Sequence, residues 1–181
     1  MANPLTVASM QVCAASGNVT SESAFCQAPG NTVRAYCAAP ITLGNMAFDG
    51  RLFALRAAIL ITGGTTTNYT PSVRLYSGNN TGLTTFTSDT AIITPSAFAV
   101  NSVTRLWVLE AKLYWDPTSA RLNGYYQMAI DTTYTSPVTL TAGLSSGVTT
   151  ESALQWCLTG LFSASNGSNT AILKYFEMDL Y

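Results

Sequence analysis

Histidine is missing from all 181 residues of this chain, and charge is scarce, at 9% of the residues. Histidine is the side chain that most readily moves protons and binds metals near neutral pH. Without it, nucleophilic triads in their usual form are excluded, and so are mixed Cys/His zinc sites. The basic residues are Lys112, Lys174 and Arg34, Arg51, Arg56, Arg74, Arg105 and Arg121, scattered singly. Nucleic-acid binding needs such charges gathered against phosphates, so no nucleic-acid partner is expected. A formal net charge of −1 leaves little repulsion between copies, and a surface of that kind tends to associate.

Long apolar runs are absent too. The strongest, Leu52 to Ile61, is interrupted by Arg56 and is far too short for a membrane-spanning helix, so no membrane partner is expected. Residues 1–12, MANPLTVASMQV, lack the basic start and continuous apolar stretch of a secretory signal. Synthesis in a cytoplasm is the expectation, with Cys13, Cys26, Cys37 and Cys157 reduced there. A Cys13–Cys26 or Cys26–Cys37 disulfide stays open in an oxidising medium. No CxxC pair occurs, so zinc is not expected. The sequons at Asn18, Asn68, Asn79 and Asn166 follow from the Asn/Ser/Thr-rich composition and mark loops.

What is present is strand pattern. Residues 1–40 are small and polar with three prolines, a poor core builder that reads as an N-terminal arm, with one short strand near Val33 to Cys37. Residues 41–181 read as the folded domain. Arg51 to Thr62 places Phe53, Leu55, Ala57, Ile59 and Ile61 on one face of a central strand. Ser72 to Ser77 is a short strand behind Pro71, with Leu83 to Thr87 pairing back onto it. In Val103 to Trp115, Trp107, Leu109, Ala111, Leu113 and Trp115 form an apolar wall. Leu106, Val108, Glu110, Lys112 and Tyr114 form a mixed opposite face. Asp116-Pro117-Thr118-Ser119 turns the chain, and Arg121 to Asp131 returns with Tyr126, Met128 and Ile130 inward. Val138 to Ala142 is a further strand. Ala153 to Ser163 and Thr170 to Tyr181 read as a closing hairpin, with Ile172, Phe176, Met178 and Leu180 on one side and Lys174 interrupting them. No segment carries a helical stripe with caps. The fold class is all-β: an antiparallel two-sheet β-sandwich, with a jelly roll preferred over an immunoglobulin-like arrangement.

Few constellations suit chemistry. No glycine-rich loop leads into Lys-Ser/Thr and a helix. Of the carboxylates, Asp49, Asp116 and Asp131 fall at turns or strand ends, where such groups bond local backbone. Only Glu110 lies mid-strand, on the face of Lys112, which suggests an ion pair in place of the two flanking acids of a glycosidase. No catalytic residue, cofactor site or metal site is expected. Aromatic side chains offer contact instead: Trp107 and Trp156 alternate as core residues. Trp115 at a strand end, Tyr125 after Asn123-Gly124, and Tyr134 are candidates for ligand or partner contact.

The weakly charged, Ser/Thr/Asn/Gly-rich strands from residue 50 onward, exemplified by TRLWVLEAKLYWD and ILKYFEMDLY, resemble virion components of tailed bacteriophages. The capsid decoration (cement) proteins are the most similar in character. That resemblance implies a homotrimeric jelly roll made in the host cytoplasm and seated on the capsid surface. There it would bind the major capsid protein and stabilise the assembled head. The alternative is a carbohydrate- or receptor-binding β-sandwich module of a phage fibre.

Overall fold

The computed structural model describes residues 5–8, 23–24, 41–42, 52–77, 90–116, 118–119, 121–143 and 153–180. Among them every regular element is a strand: β1 (Leu5–Ala8), β2 (Ser23–Ala24), β3 (Ile41–Thr42), β4 (Leu52–Thr62), β5 (Asn68–Ser77), β6 (Thr90–Ile93), β7 (Phe98–Ala99), β8 (Thr104–Asp116), β9 (Arg121–Ile130), β10 (Thr133–Tyr134), β11 (Val138–Gly143), β12 (Ala153–Phe162) and β13 (Thr170–Leu180). They form two antiparallel sheets. The larger runs β1-β13-β4-β8-β9-β10, with β11 also on β9. The smaller runs β2-β12-β5-β6, with β3 on β12 and β7 on β5. The chain is an all-β, two-sheet β-sandwich. The expected strand near Val33 to Cys37 and that of Leu83 to Thr87 lie outside the described residues, as does Asp49.

One core joins the sheets. The large sheet contributes Phe53, Leu55, Ala57, Ile59 and Ile61 from β4 and Trp107, Leu109, Ala111, Leu113 and Trp115 from β8. The small sheet contributes Tyr69, Val73, Leu158 and Phe162. Period-two alternation makes this possible: every second residue of β4 and β8 turns to the core, and a one-residue slip would expel them all. Tyr126, Met128 and Ile130 are half-buried against the same core, as their parity requires. In the small sheet Phe98, Tyr69 and Phe162 stand in one cross-strand row, the Tyr69 and Phe162 rings 4.8 Å apart and edge to face.

Three details differ from the sequence pattern. First, β12 and β13 are no hairpin. β12 pairs with β5 in the small sheet and β13 with β4 in the large one. The linker 163–169 is therefore a corner between sheets. Asn169 holds it, donating through Nδ2 to the Ala164 carbonyl at 2.8 Å and accepting from the Gly64 N–H at 2.9 Å.

Second, the register of β13 shifts between Leu173 and Tyr175. That bulge spends Lys174 and lets Leu173 and Phe176 both turn inward, at 2% and 0% exposure. Ile172 is only half-buried, on the opposite parity to Leu173. Third, β5 begins at Asn68 and runs through Pro71. Proline lacks the ladder N–H, and it fits because β7 pairs only with Asn68 and Tyr69, and β6 only from Val73 onward.

Candidate functional site

The outer face of the large sheet carries the side chains that alternate with the core wall. Pairing of β13, β4, β8 and β9 assembles them into rows. Glu177, Arg56, Glu110 and Gln127 make one row, and Asp179, Ala54, Lys112 and Tyr125 the next, continued by Thr139 of β11. Leu52, Tyr114, Asn123 and Thr141 make a third. On the other side of the Arg56 row lie Tyr175, Ala58, Val108, Ala129 and Tyr134.

At the centre is a depression of about 350 Å³ lined by Ala54, Arg56, Glu110, Lys112, Tyr125 and Gln127. Leu55 and Ala111 also line it; their side chains belong to the core, so their contribution is backbone. The hollow exists because β4 puts alanine at position 54 among long neighbours. Tyr125 walls one side, held opposite Lys112 by the β8–β9 register. The residue before it, Gly124, lies with its Cα so near β8 that a Cβ would stand 2.0 Å from the Lys112 carbonyl oxygen. Its φ of +154° is likewise a conformation side chains disfavour.

The polar groups divide into fixed and free. Arg56 is clamped by Glu177 at 3.1 Å from Nε and by a short contact from Nη2 to Asp179, whose carboxylate is nearly closed to solvent. Gln127 donates through Nε2 to the Thr135 carbonyl at 2.8 Å, which fixes its amide. Glu110 and Lys112 are exposed. They share the face, but no ion pair joins them among the contacts of the described residues, contrary to the sequence expectation. Glu110 stands opposite Arg56 and helps raise the Tyr175 hydroxyl pKa. Partial burial is the main cause there, followed by the negative charges of Glu110 and Glu177.

Tyr134 also acts on Tyr175, although four strand spacings, roughly 19 Å at ~4.8 Å each, separate their backbones. Ala58 and Ala129, which lie in the same row between them, keep only 2% exposure. Of the three predicted contact residues, Tyr125 and Tyr134 are exposed at 45% and 66%. Trp115 is not: it is 5% exposed and belongs to the core. Its alternation with Leu113 and Ala111 decided its side, and its place near the strand end did not free it. Tyr114, on the mixed face but not among those three candidates, is 44% exposed. Its signal was its parity with Glu110 and Lys112. Trp107 is fully buried, with its indole N–H unpartnered. The side chain of Trp156 and those of the cysteines lie outside what is described.

The turn acids do what their position suggests. Asp116 accepts from the Thr118 N–H at 2.9 Å and the Ser119 N–H at 3.3 Å, and from the Ser119 hydroxyl. Asp131, at φ 57°, accepts from the Leu106 N–H at 2.9 Å and from Arg105 at 2.7 Å. Both carboxyl pKa values are lowered, chiefly by the Ser119 hydroxyl and by Arg105 respectively. These are structural roles. Among the described residues no cluster of three or more acidic or cysteine side chains is arranged to hold a metal, and no helix is long and apolar enough to cross a membrane.

No family model matches the chain, and no curated protein does. Among solved structures, lectin I-B4 of Griffonia simplicifolia in a metal-free form is similar at TM-score 0.42 and 10% identity, covering 79% of this chain and 78% of its own. Winged bean acidic lectin, complexed with methyl-α-D-galactose, is similar at TM-score 0.42 and 11% identity, covering 98% of each. A likeness at this score says nothing of what the present chain binds.

Proposed function

We propose that this protein is a non-enzymatic binding module that takes saccharide on the outer face of its large sheet, as a receptor-binding component of a phage fibre. The central depression carries the reading, because it sets an exposed phenol ring beside Glu110, Lys112 and Gln127. A tyrosine face packs against the C–H side of a sugar ring, and a few placed polar groups orient its hydroxyls. Among the described residues Glu110 is the one carboxylate lining the depression, whereas hydrolysis of a glycosidic bond takes two. A glycan array probed with wild type, Tyr125→Ala and Trp115→Phe tests this. Saccharide binding that disappears in Tyr125→Ala and persists in Trp115→Phe is expected; binding that survives Tyr125→Ala counts against it.

A capsid decoration role is the second reading. Leu106, Val138 and Tyr114 are exposed at 37%, 40% and 44%, and exposed apolar side chains on a chain with only 9% charged residues suit protein contact. It entails a homotrimer bound to the major capsid protein. Capsids stripped of the protein and incubated with it would then retain it on sedimentation, and its solution mass would be three times the monomer's. A strict monomer that leaves capsids bare counts against it. Both readings place the protein on a virion surface after synthesis in the host cytoplasm.

A further inference from the structure

Three exposed tyrosines line up across the outer face of the large sheet. Tyr114 lies on β8, Tyr125 on β9 and Tyr134 on β10, three strands that are neighbours in that order. Tyr114 is level with Asn123 and Tyr134 with Ala129. Six residues along the strands at ~3.4 Å and two strand spacings at ~4.8 Å put roughly 22 Å between the outer two backbones. Tyr125 falls between them, at the depression. The polar row of Gln127 and Glu110 fills the interval between Tyr125 and Tyr134.

That span is longer than any single sugar ring, and its aromatic surfaces are separated by hydrogen-bonding groups. Charge narrows the ligand further. Arg56 is already engaged by Glu177 and Asp179. The remaining charges of the depression, Glu110 and Lys112, are opposite in sign. Among the described residues the face carries no excess of cations to hold a polyanion. Resting on the saccharide reading above, we infer that the track takes an extended, uncharged polysaccharide laid diagonally over Tyr134, Tyr125 and Tyr114. The middle tyrosine and the depression hold one unit, and the outer two hold units further along the chain.

The test is an array of neutral gluco-, galacto- and manno-oligosaccharides graded from single sugars to long chains, printed beside their uronic-acid counterparts. Wild type should bind the long neutral chains at least about tenfold more tightly than single sugars. Tyr114→Ala and Tyr134→Ala should each weaken long-chain binding about twofold to tenfold, the range of one ring contact, and leave single-sugar binding unchanged. Tyr114→Phe and Tyr134→Phe, which keep the rings, should restore most of the loss. Equal affinity for single sugars and long chains, or preference for the uronic acids, overturns the inference and leaves the saccharide reading standing. Binding to nothing on the array overturns both.

Discussion

Tyr125 and Lys112 face each other as direct cross-strand partners of β9 and β8, and the bare Cα of Gly124 is what lets the strands meet there. The candidate site depends on a backbone feature as much as on its side chains. Gly124→Ala would drive a methyl group onto the Lys112 carbonyl oxygen, a backbone atom that cannot rotate aside. The expected cost is about 1–3 kcal/mol, read as a lower denaturant midpoint, together with weaker ligand binding in the fraction that folds. An unchanged midpoint would show that the two strands can separate locally without loss.

Trp115 and Tyr125 should separate stability from binding. Trp115→Ala empties a buried position and should cost about 3–5 kcal/mol, measured by chemical unfolding. Tyr125→Ala removes a half-exposed ring and should change stability by less than about 0.5 kcal/mol while abolishing saccharide binding. The reverse ordering of the two stability losses would mean that Trp115 is outside the core.

Acid should find the β8–β9 hairpin early. The lowered carboxyl pKa values of Asp116 and Asp131 mean that their contribution is complete above the unfolded value of about 3.9. It is lost as pH falls through their folded values. Thermal midpoints should therefore be insensitive to these two groups near neutrality and fall in acid. Asp131→Asn should flatten that acid slope and lower the midpoint at neutral pH. An unaltered slope would rule Asp131 out as a contributor.

Alkali acts through the core. Burial pushes the Tyr69 hydroxyl pKa well above its ordinary value, so its contribution holds below about pH 10. It is lost as pH rises from there toward the folded value. Tyr69→Phe should move the alkaline unfolding midpoint upward, followed by circular dichroism. No movement would mean that another group sets the alkaline limit.

The core faces of β4 and β8 were legible because alternation is a local property: each residue's side follows from its neighbours. The same rule placed Trp115 inside, and the strand-end argument that favoured its exposure was the weaker one. The same parity puts Tyr114 on the outer face with Glu110 and Lys112, and its exposure follows from it. The β12–β13 corner was not legible, since a short, mostly polar linker serves a hairpin or a sheet crossing equally well. What decides is pairing with β5 and β4, far away in sequence. The bulge at Lys174 was hidden for a related reason: only the fixed register of β4 shows that Leu173 and Phe176 must both reach the core. The depression is likewise a product of register. Arg56, Glu110 and Gln127 come from three strands, and nothing in any one segment announces that they share a row.

The most direct test of the outer face as the contact surface is a residue-resolved NMR titration. The ligand would be the neutral oligosaccharide bound most tightly on the array. Shifts concentrated at Tyr114, Tyr125, Gln127 and Tyr134, with the small sheet silent, are the predicted result. Shifts centred on β5 and β12, with these four residues unmoved, would contradict it.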